Sequence, residues 1–203
     1  MKSDRVEPPM NLEARPLENP FVRLEPLAET HREGLRAACA ADPTTWHDLY
    51  IYSMLGDAFD QQWTRIAAEV AAGQTIAYAV LAGDLCQGIT TYLGIDPAHA
   101  TVEIGSTYYA PDVRGGPVNP SCKRLLLGHA FASGAHRVQF RVDAINARSR
   151  AAVLKLGAVQ EGVLRQDRIT WTGRVRDTVV FSVLADEWPA VRDRLDIRLA
   201  GLS

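Results

Sequence analysis

Residues 101–119 read TVEIGSTYYAPDVRGGPVN, and this stretch decides the fold. Val102 and Ile104 alternate with polar neighbours, as they would in a half-buried β-strand. Gly115 and Gly116 then mark a turn, and a helical period begins near residue 120. Backbone N–H groups at a helix N-terminus lack partners and carry a partial positive charge, so small residues there let a phosphate approach. The stretch predicts a strand, a turn that fits an anion and a helix, although an ordinary tight turn would look the same.

The segments on either side alternate between the periods of strands and helices. Strands are predicted at residues 21–24, 75–83, 86–94, 100–110, 138–142, 159–169 and 175–184. Helices are predicted at about residues 30–39, 60–72, 120–133, 147–156 and 187–199. This order predicts an α/β fold with a mixed, mostly antiparallel central sheet of about seven strands flanked by helices.

Local signals set the boundaries of this domain. Thr30 and Glu33 have the spacing of a capping box, which predicts that the first helix begins there. The first twenty residues are polar and contain four prolines, a composition typical of irregular chain. We therefore expect residues 1–11 to form a flexible tail and residues 12–203 to form a single domain.

Composition narrows the class of protein. The chain has 203 residues, 47% of them hydrophobic, and no apolar run approaches the roughly 18–20 residues of a membrane span. Its N-terminus, MKSDRVEPPM, lacks the apolar centre of a secretory signal. The three cysteines form no CxxC pair and the five histidines show no metal-ligand spacing. We expect a cytoplasmic protein with free thiols, no metal and no membrane partner.

The formal net charge of −2 hides a difference between the two halves of the chain. Residues 1–110 carry 7 Lys/Arg against 15 Asp/Glu, whereas residues 111–203 carry 15 against 9. This division fits a cationic substrate on one half and a phosphate-bearing ligand on the other, or it is an accident of composition. A pI of about 6.2 without aromatic and basic residues interleaved argues against a nucleic-acid partner.

Five blocks along the chain carry a family resemblance. They are VRLEPL (22–27), TVEIGSTYYAPDVRGG (101–116), HAF (129–131), DAINARSRAAVLKLGAVQEGVLR (143–165) and RDTVVFSVLADEWPAV (176–191). The ordered set, which spans roughly residues 12–195, resembles the Gcn5-related N-acetyltransferases (GNAT), and among them the RimJ/RimL-like, ribosomal-protein-type branch. The resemblance implies the GNAT fold, in which the fourth and fifth strands splay apart. It also implies transfer of an acetyl group from acetyl-CoA to a primary amine.

The resemblance assigns a cofactor-binding set. The turn would hold the CoA pyrophosphate, and the strand end 106–110 would run beside the pantetheine, with a backbone N–H on the thioester oxygen. Asn146 would bond the pantetheine, and Lys155 a phosphate. Pro117 departs from the family's glycine pattern and lacks an N–H donor. The implied cofactor-binding residues are Tyr108, Tyr109, Arg114, Gly115, Gly116, Val118, Asn119, Asn146, Ser149 and Lys155.

Two residues are the catalytic candidates. Glu103 lies between two apolar residues on its strand, so its side chain faces away from theirs. A partly buried carboxylate at this position would suit a general base. A solvated or ion-paired carboxylate fits the sequence as well. Ser149 would lie near the CoA sulfur, yet an N-x-x-S sequence at a helix start also caps helices. Many family members carry a tyrosine acid where this chain has Val153. No neighbouring His/Asp pair marks a covalent nucleophile, which favours direct transfer in a ternary complex.

The acceptor amine is the least determined part. Trp46, Tyr50, Tyr78 and Trp171 are predicted to line the acceptor groove, with core packing as the alternative for each. The acceptor is expected to be a protein N-terminus or a small amine. The sequence is also compatible with a homodimer. A different class of function, a catalytically inactive CoA-binding or interaction module on the same fold, is motivated by Pro117 and Val153.

Overall fold

The computed structural model describes residues 9–202. Within them the eight strands are β1 (Leu17–Asn19), β2 (Val22–Pro26), β3 (Ile76–Ala82), β4 (Leu85–Asp96), β5 (Thr101–Tyr109), β6 (Arg137–Asp143), β7 (Val159–Ile169) and β8 (Val175–Leu184). The six α-helices are α1 (Arg32–Ala40), α2 (Pro43–Leu49), α3 (Asp57–Ala71), α4 (Val118–Ala132), α5 (Ala147–Leu156) and α6 (Trp188–Ala200). None of these helices is long and apolar enough to cross a membrane.

All eight strands belong to one sheet, in the order β1-β2-β3-β4-β5-β6-β8-β7. The only parallel neighbours among the described strands are β5 and β6, which α4 connects. The other six pairs are antiparallel. The predicted α/β fold with a mostly antiparallel sheet is confirmed, with eight strands in place of about seven.

Helices cover both faces of the sheet, so the fold has three layers. On one face α4, α5 and α6 pack through residues such as Leu126, Leu156 and Leu195, all at most 1% exposed. On the other face α1, α2 and α3 pack around Trp46 and Phe59, which are fully buried. β5 lies between the two cores, since Ile104 belongs to the first and Tyr108 to the second.

The N-terminal part of the chain differs from its prediction. The first eight residues of the expected tail lie outside the described residues, but Met10 is 3% exposed in the core and the Asn11 N–H donates to the Ser133 carbonyl oxygen. The predicted irregular lead-in contains β1, whose Leu17 is buried beside β2. Burial of Met10 ties the chain to the domain before residue 12, and burial of Leu17 ties the lead-in to the sheet.

The first helices also differ. The capping box expected at Thr30 does not form, because residues 29–31 make a 3₁₀ turn and the His31 Nδ1 accepts from the Ala28 N–H. The helix α2 was not predicted, although Asp42 accepts from the Thr45 N–H and Pro43 occupies the first turn. Both are helix-start signals, but seven residues are too few to show a helical period.

Candidate active site

A gap between β5 and β6 creates the main cavity. The two strands pair only from Thr101 opposite Arg137 to Glu103 opposite Gln139, and they diverge beyond that point. The cavity that opens there has a volume of about 670 Å³. β5 and β6 are the fourth and fifth of the predicted strands, because β1 was not predicted. The splay predicted between them is therefore present, and it leaves the β5 backbone beyond Glu103 unpaired on its β6 side.

A bulge re-aims β5 where it lines the cavity. Ile89 faces Tyr108 and Thr91 faces Gly105, so β5 has one residue more than β4 between these pairs. Ser106 takes a left-handed conformation (φ 45°), which is strained for a non-glycine residue. The Tyr50 hydroxyl donates to the Thr107 carbonyl oxygen at 2.6 Å and fixes the bulge from α2's side of the sheet.

The predicted anion-binding turn lies at one end of this cavity. Gly115, with φ at 81°, uses a conformation that favours glycine, and both Gly115 and Gly116 line the cavity. Pro117 is the N-cap of α4. No described backbone hydrogen bond uses the N–H groups of Gly115, Gly116, Val118 or Asn119. These four donors fit a phosphate despite Pro117.

Arg114 secures the turn. Its Nη1 pairs with Asp42 at the N-terminus of α2, its Nε donates to the Tyr109 carbonyl oxygen at 2.8 Å, and its guanidinium lies 5.3 Å from the Tyr108 ring centre. Burial raises the pKa of Asp42, but hydrogen bonds from Thr45 and Arg114 outweigh burial and lower it to about 2. Arg114 lines the cavity, yet most of its donors are directed into the protein.

The start of α5 forms the wall opposite β5. Asn146 is the N-cap of α5, and its Oδ1 accepts from the Ser149 N–H at 3.0 Å. The capping interpretation is therefore correct for the Asn146 oxygen. Among residues 9–202 the Nδ2 group of Asn146 has no acceptor, and both Asn146 and Ser149 line the cavity. A capping residue can hold a ligand with its remaining donors.

Glu103 lies at the other end of the cavity, where β5 and β6 separate. Its carboxylate occupies the space beside Gly105, because a Cβ at Gly105 would be 2.8 Å from the Glu103 Oε1. Burial raises the pKa of Glu103, and the positive charges of Arg141, Arg176 and Arg168 oppose that rise. A carboxyl group with a raised pKa lining a cavity has the properties of a general base.

Arginines surround this end of the cavity. Arg141 donates to both carboxylate oxygens of Asp167, at 3.0 and 2.8 Å. The Arg176 side chain is 11% exposed, and its Nε lies 3.7 Å from Asp143 without a hydrogen-bond partner in the described structure. Seven basic side chains line the whole cavity against three acidic ones. This excess of positive charge favours a ligand with phosphates, but it does not favour a cationic acceptor.

The structure brings many of the predicted site residues together. The ones that line the cavity are Tyr50, Glu103, Tyr108, Tyr109, Arg114, Gly115, Gly116, Asn119, Asn146 and Ser149. For Tyr108 the contribution is that of the main chain, since its ring is 1% exposed and its hydroxyl donates to the Ala38 carbonyl oxygen. The remaining predicted residues lie elsewhere.

Five predicted residues do not line the cavity: Trp46, Tyr78, Val118, Lys155 and Trp171. Trp46 and Tyr78 are fully buried in opposite cores, so the packing alternative is correct for both. Val118 has a 4% exposed side chain, which leaves only its N–H for a ligand. Trp171 instead donates from Nε1 to the Trp46 carbonyl oxygen at 3.0 Å. Lys155 is exposed on α5.

Two lining residues, Arg141 and Arg176, were not predicted as site residues from the sequence. The position of Arg141 in an alternating strand was a usable signal, because apolar Phe140 and Val142 must face the other way. Lys123 was considered as a contact for a CoA phosphate, with a solvated basic face as the favoured alternative, but it is 6% exposed. It follows the buried Cys122 in a helix, where a lysine is by default solvent-exposed.

Comparison with known proteins agrees with this geometry. The sequence model of the acetyltransferase (GNAT) domain family matches residues 22–159. None of the curated proteins matches the chain. Among solved structures, a protein of T. thermophilus classed with the acetyltransferases is 36% identical over 94% of this chain and 100% of its own, with a TM-score of 0.83. A GCN5-related N-acetyltransferase from Brucella melitensis is 28% identical over 96% and 90%, with a TM-score of 0.87.

A more distant structure shares the fold. RimJ of Mycobacterium smegmatis, solved in complex with a CoA disulfide, is 21% identical over 96% of this chain and 97% of its own, with a TM-score of 0.79. At this identity the likeness concerns the arrangement of strands and helices.

Proposed function

The chain belongs to the GNAT acetyltransferase family, and on that premise we propose that it moves an acetyl group from acetyl-CoA to a primary amine by direct transfer in a ternary complex. One observation carries the proposal. A single cavity joins the free N–H groups of the Gly115–Gly116 turn to the carboxylate of Glu103. The same cavity would therefore hold the phosphates of the acetyl donor at one end and place a base for the acceptor amine at the other.

The donor end accounts for acetyl-CoA binding. The four free N–H groups of the turn would hold the pyrophosphate, and the Asn146 Nδ2 would bond the pantetheine. The β5 edge beyond Glu103 has lost its β6 partner and offers backbone groups to an extended chain. An N–H in the 106–110 stretch would stabilise the developing negative charge on the thioester oxygen.

The acceptor end accounts for the chemistry. An amine with a pKa near 10.4 is protonated in water, so a base must take a proton before the nitrogen attacks. Glu103 would take it, directly or through water. The neutral amine nitrogen then bonds to the thioester carbonyl carbon and loses its second proton to water. The carbon–sulfur bond breaks, and the electron pair leaves with the sulfur of CoA. The free cysteines are not needed as nucleophiles, since burial raises the pKa of Cys39, Cys86 and Cys122.

The test is a calorimetric titration with acetyl-CoA, followed by mass spectrometry of a panel of amines that includes peptides with free N-termini and small amines. We expect micromolar binding and one acetylated class. The control is an Asn119→Pro variant, which removes one N–H from the turn. No binding at millimolar acetyl-CoA would exclude the proposal. Binding without transfer to any amine would favour the inactive CoA-binding module.

We also propose that the chain forms a homodimer in the cytoplasm. Strand β7 is at the edge of the sheet, and its residues Val163, Leu164 and Ile169 are 43–72% exposed, which is unfavourable for a lone molecule. Cys39, Cys86 and Cys122 are free thiols, as a reducing compartment would keep them. Light scattering coupled to gel filtration gives the mass directly, and a monomer at micromolar concentration would contradict the first part.

A further inference from the structure

Lys123 is a buried cation on the wall of the cavity. It lies on α4 and is 6% exposed, and its Nζ donates to the Thr107 Oγ1 at 3.1 Å. The Phe140 ring centre lies 5.7 Å away on β6. Within residues 9–202 no carboxylate lies at ion-pair distance from Lys123. An ammonium group has three donors, so this one has donors left for a ligand.

The groups around Lys123 do not neutralise it. Cys122 on the same helix is its titratable neighbour, and Tyr109 on β5 in turn contacts Cys122, while the Phe140 ring on β6 carries no charge. Burial raises the pKa of the Cys122 thiol to about 11 and that of Tyr109 well above its usual range, so both are neutral at pH 7. Burial lowers the pKa of Lys123 itself to about 8. A buried charge without a partner is costly unless an anion binds beside it.

Lys123 is held beside the part of β5 that should meet the thioester. Its partner Thr107 follows the strained Ser106 in the bulge, and the Thr107 Oγ1 also contacts the Thr90 Oγ1 at 2.8 Å. The Thr107 carbonyl oxygen is already bonded to Tyr50. The hydroxyl of Thr107 therefore keeps one orientation, and it fixes the Lys123 ammonium at the cavity wall.

We propose that Lys123 binds the departing sulfur of CoA and gives it a proton. This inference rests on the acetyltransferase function proposed above. When the carbon–sulfur bond breaks, the electron pair goes to sulfur, and the Lys123 ammonium transfers one proton to it. The acceptor ammonium gives up two protons, one to Glu103 before the attack and one from the new amide nitrogen to water. Water returns one proton to the neutral amine of Lys123 and keeps the other, so CoA leaves as a thiol and one proton is released overall.

Lys123 fits this role better than the alternatives. A thiol has a pKa near 8.5, so a donor of similar acidity transfers its proton with little cost. The Ser149 hydroxyl is a far weaker acid, and Val153 has no proton to give. Lys123 therefore takes the donor role for which Ser149 was the candidate, and Ser149 keeps its place in the α5 cap.

The test measures the thiol of bound CoA and needs no acceptor amine. CoA bound to the wild-type protein is titrated with base, and the thiolate is followed by its ultraviolet absorbance against bound acetyl-CoA, which has no thiol. A cation within contact distance lowers the pKa of a thiol by about one unit or more. We expect that lowering in the wild type and its loss in Lys123→Met. The matched control, Arg124→Met, removes the neighbouring cation of α4, which pairs with Asp196, and should behave like the wild type.

The outcomes separate this inference from the proposed function. If the wild type binds CoA and acetylates an amine but the thiol pKa is not lowered, the role of Lys123 is wrong and the acetyltransferase function stands. If the thiol pKa of bound CoA stays low in a folded Lys123→Met variant, the role of Lys123 is also wrong. Should Lys123→Met not fold, Lys123→Arg tests the same point, since it keeps the cation but cannot release the proton. It should retain the lowered thiol pKa and lose about tenfold or more in transfer rate. Failure of the wild type to bind CoA would end both proposals.

Discussion

Glu103 depends on the absence of a side chain two residues along its strand. A Cβ at Gly105 would lie 2.8 Å from the Glu103 Oε1 and 2.9 Å from the Leu93 Cδ1. We predict that Gly105→Ala displaces the carboxylate, since the methyl group takes its place. The transfer rate should fall about tenfold or more, while the Kd for acetyl-CoA changes little. Single-turnover rates and calorimetry measure the two effects, and a loss of acetyl-CoA binding without a change in rate would contradict the expectation.

The pH dependence of transfer should identify Glu103 directly. Because burial raises its pKa, the wild-type rate should rise with pH through a limb above the usual range of a glutamate. We predict that Glu103→Gln loses about 100-fold in rate between that pKa and the pKa of the acceptor amine. The loss should shrink at higher pH, where the amine is already neutral. The pH–rate profiles of the two proteins make the comparison, and profiles of identical shape would exclude Glu103 as the base.

Single residues differed in how well the sequence predicted them. Glu103 was predictable because Val102 and Ile104 fix which face of the strand it takes. Tyr78 and Trp46 were not, since an aromatic side chain suits a core as well as a groove, and only the packing of distant elements decides. The burial of Lys123 was not predicted, because a lysine on a helix is by default solvent-exposed. Its burial results from the bulge in β5 and the splay of β6, neither of which is visible in the sequence around it.

Among the elements, α2 and the glycine turn are joined by one ion pair. Asp42 caps α2 and pairs with Arg114 at the turn. We predict that Asp42→Ala lowers the free energy of unfolding by about 1–2 kcal/mol at pH 7 and weakens acetyl-CoA binding, because the turn loses its anchor. Urea denaturation and calorimetry provide the measurements. Asp48→Ala, which changes an exposed carboxylate on the same helix, is the control.

The same pair has a pH signature. The pKa of Asp42 is about 2 in the folded protein and near 3.9 in an unfolded chain, so the folded state favours the ionised form. Its stabilisation is complete above about pH 4 and is lost as the pH falls towards 2. The stability of Asp42→Ala should therefore vary less over that interval. Equal slopes for the variant and the wild type would show that the pair contributes nothing.

Elements were predictable in proportion to their length. Strands of seven residues or more and helices α3 to α6 were all predicted, because a period repeats several times in each. The short elements β1 and α2 were missed. β1 exists because Leu17 pairs opposite Leu24 of β2, a contact between segments that the intervening turn brings together. A three-residue strand carries too little pattern to be found without that partner.

At the scale of the whole molecule, the hairpin of β7 and β8 closes the fold against α2. The Trp171 N–H donates to the Ile51 carbonyl oxygen, and Arg174 donates to the Asp48 carbonyl oxygen. Asp167 and Arg168 of β7 line the cavity near Glu103. We predict that Trp171→Ala raises the KM for the acceptor amine several-fold and leaves the Kd for acetyl-CoA unchanged. Steady-state kinetics with the amine varied would test this, and an unchanged KM would show that the hairpin does not shape the acceptor end.

The arrangement of the whole molecule was predictable only in outline. The alternation of strands and helices predicted the layers, but strand order places β8 between β6 and β7, which requires contacts far apart in sequence. The charge of the cavity also depends on contacts between segments that are far apart in the sequence. An acidic N-terminal half suggested a cationic substrate, yet the arginines of β6, β7 and β8 converge on Glu103 once the sheet is assembled.

The three-residue pairing of β5 with β6 means that the sheet is one strand short over part of its length. A cofactor chain that hydrogen-bonds to the free edge of β5 would complete the sheet, so the ligand would act as a part of the fold. Thermodynamic linkage then makes the stability of the protein a measure of cofactor supply. At a concentration 100 times the Kd, acetyl-CoA should add about 2.7 kcal/mol to the free energy of unfolding, and the melting temperature should follow the concentration of the cofactor.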